Sequence, residues 1–303
     1  MVGPRIALVS ATAAAALDED LPPLLDAVGA AGGRPQLVAW DDPEVPWHAF
    51  AAAVLRSTWD YAERLAEFLD WASRVARATR LINPLSVVRW NTDKHYLAEL
   101  ERAGVAIVPS RFIEPTESIG AAVARALSQW SAEEIVVKPS VGAGSRDAQR
   151  HMRTAVADVL AHVHRLHASG RSALLQPYLP RVAEAGETAL VYLGGRFSHA
   201  LRKGPLLHAG AGPTEQLFAP EEITPRVVSQ AEQQLADRVL RVVEQTLRTP
   251  PLTYARVDLI RDDADEPRLL EVELTEPSLF FRHAPGSARH LADTILEAVA
   301  GSA

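Results

Sequence analysis

The sequence predicts an α/β chain with α+β character, in which an N-terminal parallel sheet precedes a region of mixed strands and helices. Three observations carry this. Short apolar runs alternate with helical patterns through the first ninety residues, the pattern of a parallel sheet flanked by helices. From Trp90 onward the texture changes to lysine- and glycine-bearing strand ends. Near the C-terminus, two strand patterns carry charge on one face and apolar side chains on the other.

Taken in order, residues 6–9 read as a first strand and 21–31 as a helix that Gly32-Gly33 ends. A second strand covers 35–40 and is broken by Asp41-Asp42-Pro43; a third covers 52–55. Residues 63–78 form an amphipathic helix with Leu65, Phe68, Leu69, Ala72 and Val75 on one side. Leu81-Ile82 then leads into Asn83-Pro84. Thr92 or Asp93 caps a helix running to Arg102, and Gly104 stops it. A short apolar run at 105–109, a helix at 118–130, a strand at 134–138, a helix at 155–168 and a strand at 173–179 follow. The remainder holds strands at 189–193 and 197–203, a helix at 227–247, the two charged strands, and a closing helix at 288–299. The glycine- and proline-rich stretch 204–215 is the expected mobile lid.

Bulk numbers narrow the class. A chain of 303 residues, 48% hydrophobic, suits two or three units with a substantial core. The formal net charge of −7 gives no general affinity for nucleic acid or an anionic membrane, though a local basic site remains open. No run approaches the ~20 apolar residues that span a bilayer. Cysteine is absent, which excludes disulfides, thiolate nucleophiles and cysteine metal sites. The apolar run after Arg5 has two readings, a short secretory signal or a buried strand. The acidic Asp18-Glu19-Asp20 that follows favours the strand, and with it a cytoplasmic protein.

The C-terminal strands carry the most chemistry. In 254–260, Arg256 and Asp258 share a face, with Val257 and Leu259 on the other. In 269–274, Glu271 and Glu273 share a face, with Leu270, Val272 and Leu274 opposite. Paired as a hairpin they place one arginine and three carboxylates on one surface. Either that surface is a solvated face of mixed charge, or the carboxylates hold a hard cation such as magnesium. Upstream, Lys138 ends an apolar strand and precedes Ser140-Val141-Gly142-Ala143-Gly144-Ser145, a loop able to approach phosphate closely. Lys94 starts a helix. Gln176, Tyr178 and Leu179 end a strand ahead of Glu184 and Glu187, where backbone groups can meet a base and a carboxylate a ribose.

From about Trp90 to the C-terminus the chain resembles the ATP-grasp superfamily, most closely its glutathione-synthetase-like members. The carrying segments are NTDK, VVKPSVGAGS, LLQPYL, GET, ALRKG, ARVDL and LLEVELTEPS, in that order. The resemblance implies an ATP-grasp fold with an N-terminal Rossmann-like pre-ATP-grasp domain over 1–89, a subdomain with the phosphate loop over 90–179, and one with the lid and magnesium site over 180–303. Lys94 and Lys138 then look like the ATP-contacting lysines. Ser140, Gly142, Gly144 and Ser145 belong to the loop over the phosphates, and Gln176, Tyr178 and Leu179 to the adenine hinge. Glu187, with Glu184 as its rival, stands on the ribose side. Arg202 or Lys203 meets the triphosphate, Arg256 lies near the transferring phosphoryl group, and Asp258, Glu271 and Glu273 bind magnesium. One departure is Glu271-x-Glu273 where many members have Glu-x-Asn; another is Glu276-Pro277-Ser278 in place of the usual Ser-Pro, which bears on the substrate side.

The N-terminal segments LRSTWDY and RWN resemble the smaller subgroup that includes the cycloserine-forming ligase. Within those segments Arg56, Trp59 and Asp60 are candidate substrate contacts, with structural ion pairing the alternative for Arg56 and packing for Trp59; Glu276, Ser278 and Arg282, which follow the last charged strand, are further candidates. His283 is more simply structural. The activity implied is ATP- and magnesium-dependent joining of a small carboxylate and an amine through an acyl phosphate, with ring closure within one molecule as the alternative. A nucleotide-binding protein without turnover and a simple phosphotransferase are the competing classes. Dimers are common in the family, so a homodimer is one assembly the resemblance allows.

Overall fold

The computed structural model describes residues 3–208, 210–212 and 221–301. Three sheets organise them. The first is parallel, in the order β2-β1-β3-β4, from β1 (Arg5–Ser10), β2 (Arg34–Ala39), β3 (Ala52–Ser57) and β4 (Arg80–Ile82). Helices α1 (Leu21–Ala30) and α2 (Leu65–Ala78) flank it. The two-residue period of β1 is used on both faces. Ala7 and Val9 pack with Phe68, Trp71 and Val75 of α2, while Ile6 and Leu8 pack with Leu24 and Val28 of α1.

Helices α3 (Leu85–Asn91) and α4 (Tyr96–Arg102) follow. A single helix from Thr92 or Asp93 does not form. Thr92 ends α3, the Asp93 carboxylate accepts the His95 N–H (3.1 Å), and the Lys94 N–H donates to the Ser140 carbonyl (2.9 Å). Residues 93–95 are thereby held out of the helix. The second sheet has the order β5-β8-β6-β7, from β5 (Arg111–Ile113), β6 (Glu134–Pro139), β7 (Gln149–Met152) and β8 (Ala173–Pro177). It packs on α5 (Ile119–Gln129) and α6 (Val156–Ala168) through Ile135, Val137, Val123 and Val163.

After the short α7 (Val182–Ala185) comes the third sheet, antiparallel, in the order β11-β10-β9-β12-β13. Its strands are β9 (Glu187–Leu193), β10 (Arg196–Lys203), β11 (Ile223–Pro225), β12 (Tyr254–Arg261) and β13 (Pro267–Glu273). Helix α8 (Gln230–Leu247) covers one face and begins with a capping box between Ser229 and Glu232. The run 105–109 is not a strand; Ile107 bridges Leu269 on the outer side of β13. That edge is further held by Asn91, whose side chain donates to the Val272 carbonyl (2.7 Å) and accepts the Leu274 N–H (2.7 Å). Helix α9 (Ser287–Ala300) packs against α1, and Val191, Leu193, Tyr254 and Phe281 join Ile6 and Leu8 in one core. Buried Asn83 donates to the carbonyls of Tyr254 (2.9 Å) and Leu274 (2.8 Å), fastening the end of β4 to the C-terminal hairpin.

Candidate active site

A cavity of about 460 Å³ is lined from both antiparallel sheets and from N-terminal loops. The β12–β13 register sets Arg256 opposite Glu273 and Asp258 opposite Glu271. A bulge after Asp258 makes Leu259 face Leu269, not Leu270. Leu269 therefore enters the core and Leu270 lines the cavity, where strict alternation placed Leu270 on the apolar face.

One oxygen each of Asp258, Glu271 and Glu273 lie within 4.8 Å of one another. Ligands across an octahedral magnesium stand about 4.2 Å apart, so the hard-oxygen set fits that ion with small side-chain shifts. Arg256 donates to both Asp258 oxygens (2.9 and 2.8 Å), to Glu273, and to the Ser278 carbonyl (3.1 Å). Burial pushes the Glu273 carboxyl up to about 8, because Arg256 offsets the loss of water only in part. Burial acts the same way on Asp258 and Glu271, but Arg256 and Lys203 beside the first, and Lys94 and Lys138 beside the second, hold both below the usual range.

Three lysines share the cavity with Arg256. Lys94 donates to the Gly142 carbonyl (3.1 Å) and stands 3.5 Å from Glu271. Burial lowers Lys138, with Glu271 working against it. Lys203 meets Glu187 at 2.5 Å, Asp258 at 3.7 Å and Glu221 at 3.8 Å. These carboxylates overcome the burial of Lys203 and keep it protonated, while burial drives Glu187 upward. Gly142, Gly144 and Ser145 line the cavity, Gly144 with φ +61°. Lysines, arginine and glycine loop together bring positive charge and backbone N–H groups beside the three carboxylates, an arrangement able to take a polyphosphate and a divalent cation.

Comparison with known proteins agrees with this geometry. Residues 6–83 match the family described as the N-terminal domain of D-cycloserine synthetase DcsG. The chain is 37% identical over 296 residues to the cycloserine biosynthesis protein DcsG of Streptomyces lavendulae, across 96% of this chain and 98% of that one. The chain belongs to the D-cycloserine synthetase family of ATP-grasp ligases. The crystal structure of D-cycloserine synthetase DcsG matches at a TM-score of 0.93, covering 97% and 99% of the two chains. The D-alanine–D-alanine ligase of Bacillus anthracis, solved with ATP, matches at 0.70 with 12% identity, over 99% of this chain and 98% of that one, and shares the fold. The ATP-grasp ligase PsnB, solved with magnesium and ADP, does so at 0.64 and 19%, over 99% and 100%.

In this ATP-grasp ligase most expected site residues converge on the cavity, and a few do not. Gln176, Tyr178, Leu179 and Glu187 line it; Glu184 does not, and its carbonyl accepts from Arg202 (3.2 Å). Strand parity separates Arg202 from Lys203: Lys203 enters the cavity and Arg202 turns away, 3.6 Å from Glu222. Ser140 is spent on the scaffold, its N–H on the Ser172 carbonyl (2.9 Å) and its carbonyl on Lys94. Asp60 faces outward, accepting from Trp40 Nε1 (2.8 Å) and Arg64 (3.3 Å). Trp59, Glu276, Ser278 and Arg282 line the cavity, and Trp59 Nε1 donates to the Glu276 carbonyl (3.2 Å). Arg56 lies behind the wall, fully buried. His283 pairs with its neighbour Arg282 (2.9 Å) and is not a lining residue.

Sequence reasoning missed Glu221, Tyr61, Phe280 and the Asp18–Asp20 run as cavity residues. Tyr61 carried a signal, since it stands two residues from Trp59 in the LRSTWDY segment. Glu221 carried none, because only the pairing of β10 with β11 brings it to Lys203. Of the expected lid, Gly204, Pro205, Leu206 and Leu207 line the cavity, while 209 and 213–215 lie outside the described residues.

Proposed function

We propose that this ligase closes a ring, joining the carboxylate of a small amino-acid-like molecule to an amine on the same molecule at the expense of ATP. The observation that carries the reading is one cavity holding Asp258, Glu271 and Glu273 together with Lys94, Lys138, Lys203 and Arg256. The full-length likeness to a D-cycloserine synthetase supports cyclisation over joining two molecules.

In the proposed reaction a carboxylate oxygen attacks the γ-phosphorus, ADP leaves, and an acyl phosphate forms. The amine nitrogen then attacks the acyl carbon, the C–O bond to phosphate breaks, and the nitrogen loses a proton. Magnesium held by Asp258, Glu271 and Glu273 would supply charge neutralisation for the phosphates. Lys94, Lys138 and Lys203 bind and orient the triphosphate, and Arg256 faces the transferring group. Glu276, which burial pushes up to about 7, is suited to take the proton released at nitrogen. Its hydrogen bond with Tyr61 fixes its orientation. Gln176, Tyr178, Leu179 and Glu187 are assigned to the nucleoside. The three sheets are taken as the cores of units divided near 89/90 and 179/180.

The test is incubation with ATP, magnesium and an amino-acid panel, following ADP, phosphate and product mass. Loss of one water from a single substrate supports cyclisation. Two substrates joined would replace it with intermolecular ligation, and AMP with pyrophosphate would sink the acyl-phosphate route. A homodimer and a cytoplasmic site, where ATP is at hand, complete the reading; light scattering near the mass of one 32.8 kDa chain would remove the first.

A further inference from the structure

The glycine loop lies between β6 and β7, and its two ends are held differently. At the first end Val141 and Ala143 pack into the N-terminal core with Trp59 and Tyr61, and Arg146 pairs with Glu63 just beyond that segment. The second end is a tight turn. The Ser145 carbonyl accepts the Ala148 N–H (2.9 Å), and Asp147 inside the turn has φ +59°. That left-handed conformation is unfavourable for a residue with a side chain. Ser145, Arg146 and Ala148 line the cavity, so the turn sets how this end of the loop meets it.

Behind the turn stand two histidines that the reaction above does not use, and neither lines the cavity. His162 of α6 and His151 of β7 are both buried. The core shared by β6 and α6 is otherwise apolar, with Ile135, Val159 and Val163. His162 Nε2 lies 3.1 Å from the Asp147 carbonyl oxygen, and His162 Nδ1 lies 3.0 Å from His151 Nε2. A carbonyl only accepts, so His162 donates from Nε2. Burial, reinforced by Arg165 and His151, pushes His162 down to about 4. Burial also lowers His151, with Asp158 opposing it and Arg165 adding to it. Both rings are therefore neutral near neutral pH. Neutral His162 then has a lone pair on Nδ1, and His151 Nε2 donates to it. The hydrogen bonds run one way, from His151 through His162 to the Asp147 carbonyl.

Burying two polar rings is costly, and two aliphatic side chains would fill the space without that cost. Among the described residues the pair's one hydrogen bond outside itself is to the loop carbonyl. The Asp147 carboxylate also meets Arg171 at 2.7 Å, but both side chains are about one-third exposed, and water screens the pair. The hydrogen bond from buried His162 is of the same order as the cost of the left-handed Asp147, so it decides whether the turn persists. We propose that His162, oriented by His151, is a positioning residue for the polyphosphate loop: it holds Asp147 in the left-handed turn and keeps residues 142–145 ordered at the cavity before nucleotide arrives. The inference rests on the ATP reading above and extends that site to two residues outside the cavity.

The test is calorimetric affinity for ATP and for AMP, each with magnesium and without a carboxylate substrate; the ratio reports what the added phosphates contribute. His162→Leu fills the space and removes the donor. It should lower the ATP-to-AMP affinity ratio about tenfold and leave AMP binding within about twofold. Hydrogen exchange at the Ala148 N–H should quicken about tenfold while the amides of β6 exchange as in wild type. His162→Gln, which keeps a donor, should recover part of the ratio, and His151→Leu should lose about threefold. An unchanged ratio in His162→Leu overturns the proposal. So does a purely structural pattern, in which both nucleotides weaken together and β6 exchanges faster as well. Should His162→Leu fail to fold, His151→Leu on the edge strand decides, and an unchanged ratio there overturns the proposal. Lys138→Ala separates the two levels. If it lowers the ratio and His162→Leu does not, the positioning role alone falls; if neither lowers it, the polyphosphate reading falls and the positioning role with it.

Discussion

The carboxylate hairpin β12–β13 and the Asp18–Arg56 corner both hold carboxylates largely out of water, yet they are held in opposite ways. On the hairpin every carboxylate is matched by a side-chain cation, Arg256 on Asp258 and Glu273 and Lys94 near Glu271, and on the adjoining β9 Lys203 meets Glu187. These carboxylates are met by side-chain nitrogens, so a bound cation and a polyphosphate can exchange for those partners without moving the strands. In the corner the main contacts of Asp20 are three backbone amides, those of Leu279, Phe280 and Phe281, and Arg56 contributes charge without hydrogen bonds among the described residues. The first arrangement suits chemistry in which charge arrives and leaves. The second is a fixed frame.

That contrast makes the two clusters fail differently when cut. Glu271→Gln removes one of the proposed magnesium ligands while preserving shape. ADP-forming turnover should drop about 10³-fold, ~4 kcal/mol of transition-state stabilisation, with thermal stability nearly unchanged. Steady-state kinetics across a magnesium titration, beside a melting curve, checks both halves. Activity near wild type would remove Glu271 from the metal set.

Asp20→Ala should do the reverse. Three backbone N–H groups lose their acceptor and the Arg56 guanidinium a nearby carboxylate in the interior, a loss of about 3 kcal/mol of folding stability. Urea unfolding measures it. A variant as stable as wild type, with its loss confined to turnover, would make the corner chemistry and not frame.

The same contrast explains what was legible in the sequence. The hairpin charges are neighbours in the chain, so two-residue periodicity alone placed Arg256, Asp258, Glu271 and Glu273 on one face, and the β12–β13 register sets them opposite one another. The bulge that swaps Leu269 for Leu270 leaves no mark in that periodicity. The corner joins residues about 260 positions apart, Asp20 with Leu279 to Phe281, and no local pattern announces such a contact. Strand β7 was missed because its residues, Gln149 to Met152, are mostly polar and lie at the sheet edge. Asp93 read as a helix cap since its type favours that role, and the structure uses the same preference for the His95 N–H instead.

A backbone change at the seam between nucleoside and phosphate sides sharpens the picture of the hairpin. Gly186 has φ +71° and ψ −176°, a conformation open to glycine alone, and it delivers Glu187 opposite Lys203. A Cβ there would meet the Lys203 carbonyl oxygen at 2.6 Å. Gly186→Ala should cost about 2 kcal/mol of stability. It should also weaken ATP binding, read by calorimetry, because relief of the clash displaces the Glu187–Lys203 pair. Unaltered ATP affinity would mean that the pair takes no part in holding nucleotide.

The smallest effect comes from an ion cluster on the surface, which sets a baseline for the two buried ones. His95 has Asp93 at 2.6 Å on Nδ1 and Glu114 at 2.8 Å on Nε2. The Asp93 hydrogen bond chiefly, then the Glu114 contact, outweigh partial burial and raise the imidazole to about 9. An unfolded histidine titrates near 6.5. A group raised on folding contributes stability that is complete below about 6.5 and disappears as pH climbs through about 9. The His95 side chain is 41% exposed, so solvent screening limits the effect to ~1 kcal/mol or less. Urea unfolding between pH 6 and 9.5 should therefore show wild type losing up to ~1 kcal/mol more than His95→Gln. The ring also stacks on Phe112 at 4.0 Å, so the variant is expected to start lower, and the slope with pH rather than the level isolates the charge. Added salt should flatten the wild-type slope. Parallel slopes for the two proteins would show that paired carboxylates on the surface do not hold this imidazolium, and that such pairing counts only where the low-dielectric surroundings strengthen it, as in the cavity.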